Sequence, residues 1–324
     1  MSTVIKHKEF ANRRLYKTQV AGRPLTIEVG KVAELASASA MVSYGETTVM
    51  VAVTCSARPR DGIDFFPLSV DFEEKLYAVG RIPGSFLRRE GQPSLPAVLA
   101  SRVIDRSIRP LFPYDFRNDV VVTATVMSLD RDCSPEVTAM IGVSACLAYS
   151  NIPWAGPIGC LEVGYVNGEI VFNPTQAQKH ASELDLTVAA TAGKVIMIEA
   201  GAKELPDDIM YDAIVKAHGE IKSQVEFING IVEEIGREKM SYEHADFDQT
   251  LFDRIVSETM DQAKAAMDTD DKNVREERWN ALIDRWHELF LEEFPEMDKY
   301  LEEITYKFQK KIVKAWLLEG HRVD

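Results

Sequence analysis

Apolar positions in the first third of the chain recur with a period of two. Leu25, Ile27 and Val29 alternate with Thr26 and Glu28, after a turn at Ala21-Gly22-Arg23-Pro24, which predicts a strand. Thr47 to Thr54 is rich in β-branched residues and follows a hairpin-type turn at Gly45-Glu46. Ser69 to Tyr77 alternates again, and Val120 to Met127 (VVVTATVM) is the strongest strand in the chain. Helical spacing then interleaves. Pro96 to Ile108 places Val98, Arg102, Asp105 and Arg109 on one side of a helix, with Leu99, Val103 and Ile104 expected inward. Ser134-Pro135-Glu136 opens a further helix to about Ser150, with Ser as N-cap, Pro at the first helical position and Glu in the first turn. It carries almost no charge, so it should be buried against the sheet. A second strand group runs from Ile158 to Phe172 about an Asn167-Gly168 turn. Leu184 to Ala190 and Lys194 to Glu199 form another antiparallel pair, and Pro206 to Ile235 is a long amphipathic helix.

The pattern changes near Met240. Beyond it no strand is convincing, and Phe247, Leu251, Ile255, Met260, Ala263 and Met267 recur at helical spacing, with Trp279, Trp286 and Phe290 as further core. The predicted organisation is an α+β domain over 1–240 and an all-α domain over 241–324, joined by the polar stretch Arg237 to His244. Two domains also suit the 324 residues.

Composition adds exclusions. Apolar residues are 46% and charged residues 27%, an ordinary globular balance, so a disordered chain or a fibre is excluded. Net charge is −14, and residues 241–324, with 21 acidic and 12 basic side chains, carry −9 of it. Such a chain is no indiscriminate nucleic-acid coat, although a local basic patch still works inside an acidic whole. Cys55, Cys133, Cys146 and Cys160 are far apart and form no CxxC pair, as expected of buried thiols in a reducing compartment. Met1 to Phe10 lacks the apolar core of a secretory signal, and no apolar run approaches the roughly 20 residues that span a bilayer. The expectation is a cytoplasmic protein without a membrane partner.

Positive charge is concentrated in one segment. From Arg81 to Arg117 there are seven arginines, no lysine, and Glu90, Asp105 and Asp115 as the acids. The planar guanidinium grips phosphate or carboxylate with two hydrogen bonds where an ammonium acts as a point charge. Phe86 and Leu87 precede Arg88 and Arg89 in a stretch broken by Gly80, Pro83, Gly84 and Gly91, an exposed loop with an aromatic and two cations at its tip. Such a tip suits single-stranded nucleic acid, because stacking tolerates any base and cations follow the backbone. Arg102, Arg106 and Arg109 form a second group at helical spacing. The alternatives are a solvated or salt-bridged helix face for these three, and plain core for Phe86 and Leu87. No phosphate-binding glycine loop, HExxH or EF-hand sequence is present, and no complete catalytic constellation is visible.

Asp64-Phe65-Phe66-Pro67-Leu68, Gly80-Arg81-Ile82-Pro83-Gly84-Ser85-Phe86-Leu87-Arg88-Arg89-Glu90-Gly91 and Arg102-Val103-Ile104-Asp105-Arg106-Ser107-Ile108-Arg109-Pro110-Leu111-Phe112-Pro113 closely resemble the polynucleotide phosphorylase family. So do Ala139-Met140-Ile141-Gly142, Gly156-Pro157-Ile158-Gly159, Val163-Gly164-Tyr165 and Asn173-Pro174-Thr175. The resemblance covers nearly the whole chain. It implies a ribonuclease PH-like core (ribosomal protein S5 domain 2-like, with a mixed sheet and packed helices) followed by the family's linking helical domain. The family's second core would begin where Glu319 to Asp324 end this chain, so the chain is expected to be a fragment.

The resemblance further implies a phosphorolytic 3′-to-5′ exoribonuclease of mRNA degradation, a polyribonucleotide nucleotidyltransferase that uses inorganic phosphate and releases nucleoside diphosphates. Phe86, Leu87, Arg88 and Arg89 fall on the loop that rings a central channel and grips RNA, with Leu87 where the family has a second aromatic. Arg102 and Arg106 fall on arginines that approach the active site, and Arg109 is grouped with them as substrate-binding. The family's serine-rich phosphate loop and metal-binding aspartate pair belong to its second core. Here Asp185 matches one aspartate, Lys179 stands near the other's place, and Cys133-Ser134-Pro135-Glu136 replaces the serine run. No catalytic residue and no metal ligand is therefore expected in this chain, which should be inactive alone. Mg²⁺, a homotrimeric ring and an RNA-degradation assembly are expected of the whole enzyme. The rival readings are a stand-alone, non-catalytic RNA-binding ring subunit that needs a catalytic partner, and a scaffold whose arginines only pair with neighbouring acids.

Overall fold

The computed structural model describes residues 2–3, 11–84, 86–244 and 247–321. The reading of Met1 to Phe10 as carrying no signal, Ser85 of the loop motif, and Arg322 to Asp324 at the chain end lie largely outside the described residues. Two compact units are resolved, Met1–His244 and Ala245–Asp324.

In the first unit, β1 (Ser2–Thr3), β2 (Arg14–Val20), β3 (Arg23–Val29), β4 (Ala38–Tyr44), β5 (Thr47–Cys55), β6 (Leu68–Glu74) and β7 (Val120–Ser128) form one sheet in the order β1-β2-β3-β4-β5-β7-β6. Every pair is antiparallel except β6 with β7, whose Leu68↔Val120 register is parallel. A parallel pair cannot be closed by a hairpin. The connection carries α1 (Leu95–Ile108), and the arginine-rich segment rides on that crossover. A second sheet, β11-β10-β8-β9, is wholly antiparallel, built from β8 (Gly159–Val166), β9 (Glu169–Phe172), β10 (Leu184–Ala190) and β11 (Val195–Ala202).

Helix α2 (Pro135–Tyr149) is the central element. Every residue from Val137 to Tyr149 is buried, which accounts for its lack of charge. Gly142 permits its approach to the first sheet, since a Cβ there would lie 2.7 Å from Val42 Cγ2 and 2.9 Å from Val51 Cγ2. The short α3 (Gln176–Ala181) follows β9, and α4 (Asp207–Ile235) covers the second sheet. There the buried Gln224 amide accepts from Cys160 N at 3.0 Å and donates to Cys160 O at 3.2 Å. Cys133, Cys146 and Cys160 are buried, Cys55 is partly so, and none is in a disulfide. Burial pushes Cys55 and Cys133 up to about 11 and Cys146 up to about 12, as expected of inert core thiols.

The polar connector is a clamped strap. Lys239 Nζ donates to the carbonyls of Leu147, Ala148 and Ser150 at 3.0, 2.9 and 2.8 Å, satisfying the open C-terminal end of α2. Burial lowers the Lys239 ammonium to about 8. Met240 N donates to Asn151 O at 2.7 Å, and Tyr242 and His244 both bond Asp115, at 2.9 and 2.6 Å. These contacts carry the first unit to His244, four residues past the break in hydrophobic pattern.

The second unit holds α5 (Gln249–Met267), α6 (Lys272–Phe290) and α7 (Leu301–Leu318), with Asp248 and Asp271 capping the first two. Phe252, Trp279, Trp286, Phe290 and Phe308 pack in its core, and Trp286 Nε1 donates to Thr259 Oγ1 at 3.1 Å.

Candidate functional site

The arginine-rich crossover forms an anchored finger. After β6 the chain makes a 3₁₀ turn, Leu76–Val79, closed by Gly80 at φ 71°, a left-handed conformation that glycine takes without strain. Glu90 Oε1 accepts from Leu76 N at 3.0 Å and pins the base of the loop. Ser94 fixes its far end, accepting from Ala97 N at 3.1 Å as the α1 N-cap and donating to Glu74 Oε2 at 2.6 Å. Between these anchors Phe86 is 99% exposed and Leu87 68% exposed. A bare phenylalanine is costly to leave in water, and the fold here presents one at a loop tip rather than in the core. Arg88 and Arg89 are exposed beside it, and Arg88 spends one N–H on Pro83 O at 3.3 Å.

The three arginines on and just past α1 diverge in their surroundings. Arg102 is exposed and makes no ion pair among the described residues. Arg106 approaches Glu199 at 3.5 Å, an exposed and weak pair. Arg109 is committed within the chain. Its fork takes both carboxylate oxygens of Asp105 at 2.9 and 2.6 Å, donates to Phe66 O and Leu68 O at 3.2 Å, and lies over the Phe66 ring at 5.6 Å. Arg109 thus braces α1 against the start of β6. Leu99, expected inward, is instead 52% exposed, because Ala97, Ala100, Ile104 and Ile108 supply the buried face.

Behind α1 lies a half-open cleft of about 710 Å³, whose wall includes Val103, Ser134, Glu136, Glu162, Lys179 and Asp185. The positions implied by the family comparison of serine run and aspartates therefore do converge in space. Their chemistry is unlike a phosphate cradle. Ser134 Oγ is used as the α2 cap, accepting from Val137 N at 3.3 Å. Glu136 places a carboxylate at the helix N-terminus that would otherwise receive an anion. Burial, and then repulsion from Glu162, raise that carboxyl to about 7. Lys179 Nζ sits 2.5 Å from Glu162 Oε2, so an ammonium already neutralises the deepest carboxylate. No three His, Cys, Asp or Glu side chains gather at metal-binding spacing among the described residues, and this set does not fit a divalent cation. The burial of Glu136 is not legible in the sequence because its first-turn position already explains a carboxylate there, and Glu162 carries no signal beyond strand alternation.

Known proteins frame these features. A model described as "3' exoribonuclease family, domain 1" matches residues 21–153, and its "domain 2" matches residues 156–220. A polyribonucleotide nucleotidyltransferase of Ruminiclostridium cellulolyticum is 50% identical over 310 residues, covering 95% of this chain and 44% of that relative. One from Clostridioides difficile is 52% identical over 264 residues, covering 82% of this chain and 38% of that relative. The chain thus spans less than half the length of these curated relatives. The rice (Oryza sativa) Rrp46 crystal structure superposes with a TM-score of 0.53 at 14% identity, covering 66% of this chain and 96% of that one, and supports the fold. Sequence and fold agree that the chain belongs to the 3′ exoribonuclease family, with the ribonuclease PH fold and the polyribonucleotide nucleotidyltransferases as its close kin.

Proposed function

We propose that this chain is the RNA-gripping part of a phosphorolytic 3′-to-5′ exoribonuclease whose chemistry is completed outside it. The observation that carries the reading is the bare Phe86 ring beside Arg88 and Arg89 on a finger anchored at both ends. The ring stacks on a base, and the two guanidinium groups follow the phosphates of a single strand. Arg102 and Arg106, exposed on α1, are the substrate-facing pair, and Arg109 holds their helix in place. In the whole enzyme, inorganic phosphate attacks the phosphorus of the last phosphodiester, and the bond to the 3′ oxygen of the preceding nucleotide breaks. The last nucleotide is thus released as a nucleoside diphosphate, and the shortened chain keeps a new 3′ hydroxyl. The Glu136 carboxylate and the Lys179–Glu162 pair argue that this step is not carried by the cleft in this chain.

Mg²⁺ is proposed for the whole enzyme, with its ligands elsewhere. A homotrimer would turn three fingers toward one strand in a cyclic arrangement, and the setting proposed is cytoplasmic mRNA turnover, within a degradation assembly. No helix among the described residues is long and apolar enough to cross a membrane. The test is phosphate-dependent release of nucleoside diphosphates from poly(A) by the 324-residue chain. Weak RNA binding without turnover is expected, and robust turnover would overturn the assignment of the chemistry to another part.

A further inference from the structure

The second unit is acidic as a whole, yet α7 reverses that charge. Between Glu303 and Glu319 there are four lysines and no acid. Ile304, Phe308 and Ile312 are the buried face of α7. At 100° per residue Tyr306, Lys310 and Lys314 lie on the opposite face, with Lys311 flanking them. Tyr306 is 65% exposed, Lys310, Lys311 and Lys314 are exposed, and the Lys310 ammonium lies 5.7 Å from the Tyr306 ring.

Two structural explanations for such a stripe fail. Helical ion pairs need a carboxylate three or four residues away, and none stands there for Lys310, Lys311 or Lys314. No ion pair joins these three to another carboxylate among the described residues. Complementing the helix dipole needs cations in the last turn, and the last turn of α7 has none. What remains is mutual repulsion between lysines at i,i+3 and i,i+4, which the chain itself does not offset. A ring at one end and ammonium groups along about 12 Å of helix (two turns) repeat the chemistry of the finger: a stacking surface followed by backbone cations.

We propose that Tyr306, Lys310, Lys311 and Lys314 form a second single-stranded RNA contact, carried by the helical unit. It rests on the RNA-binding reading of this chain but uses none of the residues of the finger. The exposed ring favours RNA over an acidic protein surface, since a base offers it a stacking partner.

The test is anisotropy of a labelled oligo(A) with the 324-residue chain across a potassium chloride series. Lys310→Gln/Lys311→Gln/Lys314→Gln should flatten the salt dependence by about two log units per log unit of salt, since each single-strand phosphate contact contributes about 0.7. Tyr306→Ala should weaken binding about fivefold or more at unchanged slope. Helicity and melting temperature should stay as in the parent, because all four side chains are exposed. Arg88→Ala/Arg89→Ala, measured in parallel, separates this claim from the finger. A glutamine triple variant that keeps the parent affinity and slope overturns the proposal, whether or not the finger variant binds. A triple variant that changes only self-association in sedimentation also overturns it, and assigns the stripe to a protein contact.

Discussion

Helices α1 and α2 begin alike and end in opposite electrostatic roles. Each is capped by a serine, Ser94 and Ser134, and each has a proline in its first two positions. The first turn of α1 has no acid, and its exposed face further along presents Arg102 and Arg106. The first turn of α2 carries Glu136, and the rest of that helix is buried. The same local capping chemistry thus opens a cationic surface in one place and an acidic cleft in the other. Glu136, two residues past its cap and half-buried, makes the α2 end acidic, whereas the arginines of α1 lie further along its exposed face.

The largest effect expected from breaking this contrast is on the cationic side. Phe86→Ala should weaken binding of single-stranded RNA by roughly 5- to 100-fold, the range of one base-stacking contact. Arg88→Ala/Arg89→Ala should lower the salt slope by between about one and two units, read by titration at several salt concentrations. Unchanged binding in both variants would return these residues to a scaffold role.

On the acidic side, Glu136→Gln should stabilise the protein by about 2 kcal/mol at pH 8, measured by urea unfolding. The sign follows from a carboxyl raised from 4.5 to about 7 in the folded state. Folding takes up a proton between those values, so the native charge costs stability above about 7. The advantage of the glutamine should fade as pH falls toward 4.5. A pH-independent gain would instead point to packing.

Arg109→Lys should cost about 1 kcal/mol of stability through loss of its fork to Asp105, with RNA affinity unchanged. An affinity loss larger than the stability loss would restore Arg109 to the substrate-facing group. Glu199→Gln, which removes the exposed partner of Arg106, should move stability by less than about 0.5 kcal/mol.

Much of the framework was legible because its pattern is local. The alternation at Leu25, Ile27 and Val29, the Asn167-Gly168 turn and the capped, uncharged run from Ser134 each specify an element without knowledge of its neighbours. Strand β4 was missed. Its inward positions are Ala38, Ala40, Val42 and Tyr44, and alanine gives little contrast with the intervening Ser39 and Ser43. Strand β2 was missed because its inward Tyr16 and Val20 are outnumbered by polar residues. The finger was legible from glycine, proline and the Phe86-to-Arg89 sequence. The fate of Arg109 was not, since two of its partners, the carbonyls of Phe66 and Leu68, are some forty residues away.

The sequence alone determined the order and type of most elements, the change from mixed to helical structure near residue 240, and the concentration of arginine in one crossover. Those features follow from short-range periodicity and backbone preference, which each segment carries by itself. Tertiary structure decided which arginines remain free, that Glu136 and Glu162 share a cleft with Lys179, and that the connector is held down as far as His244. These depend on distance and desolvation between residues remote along the chain, and folding is what sets both.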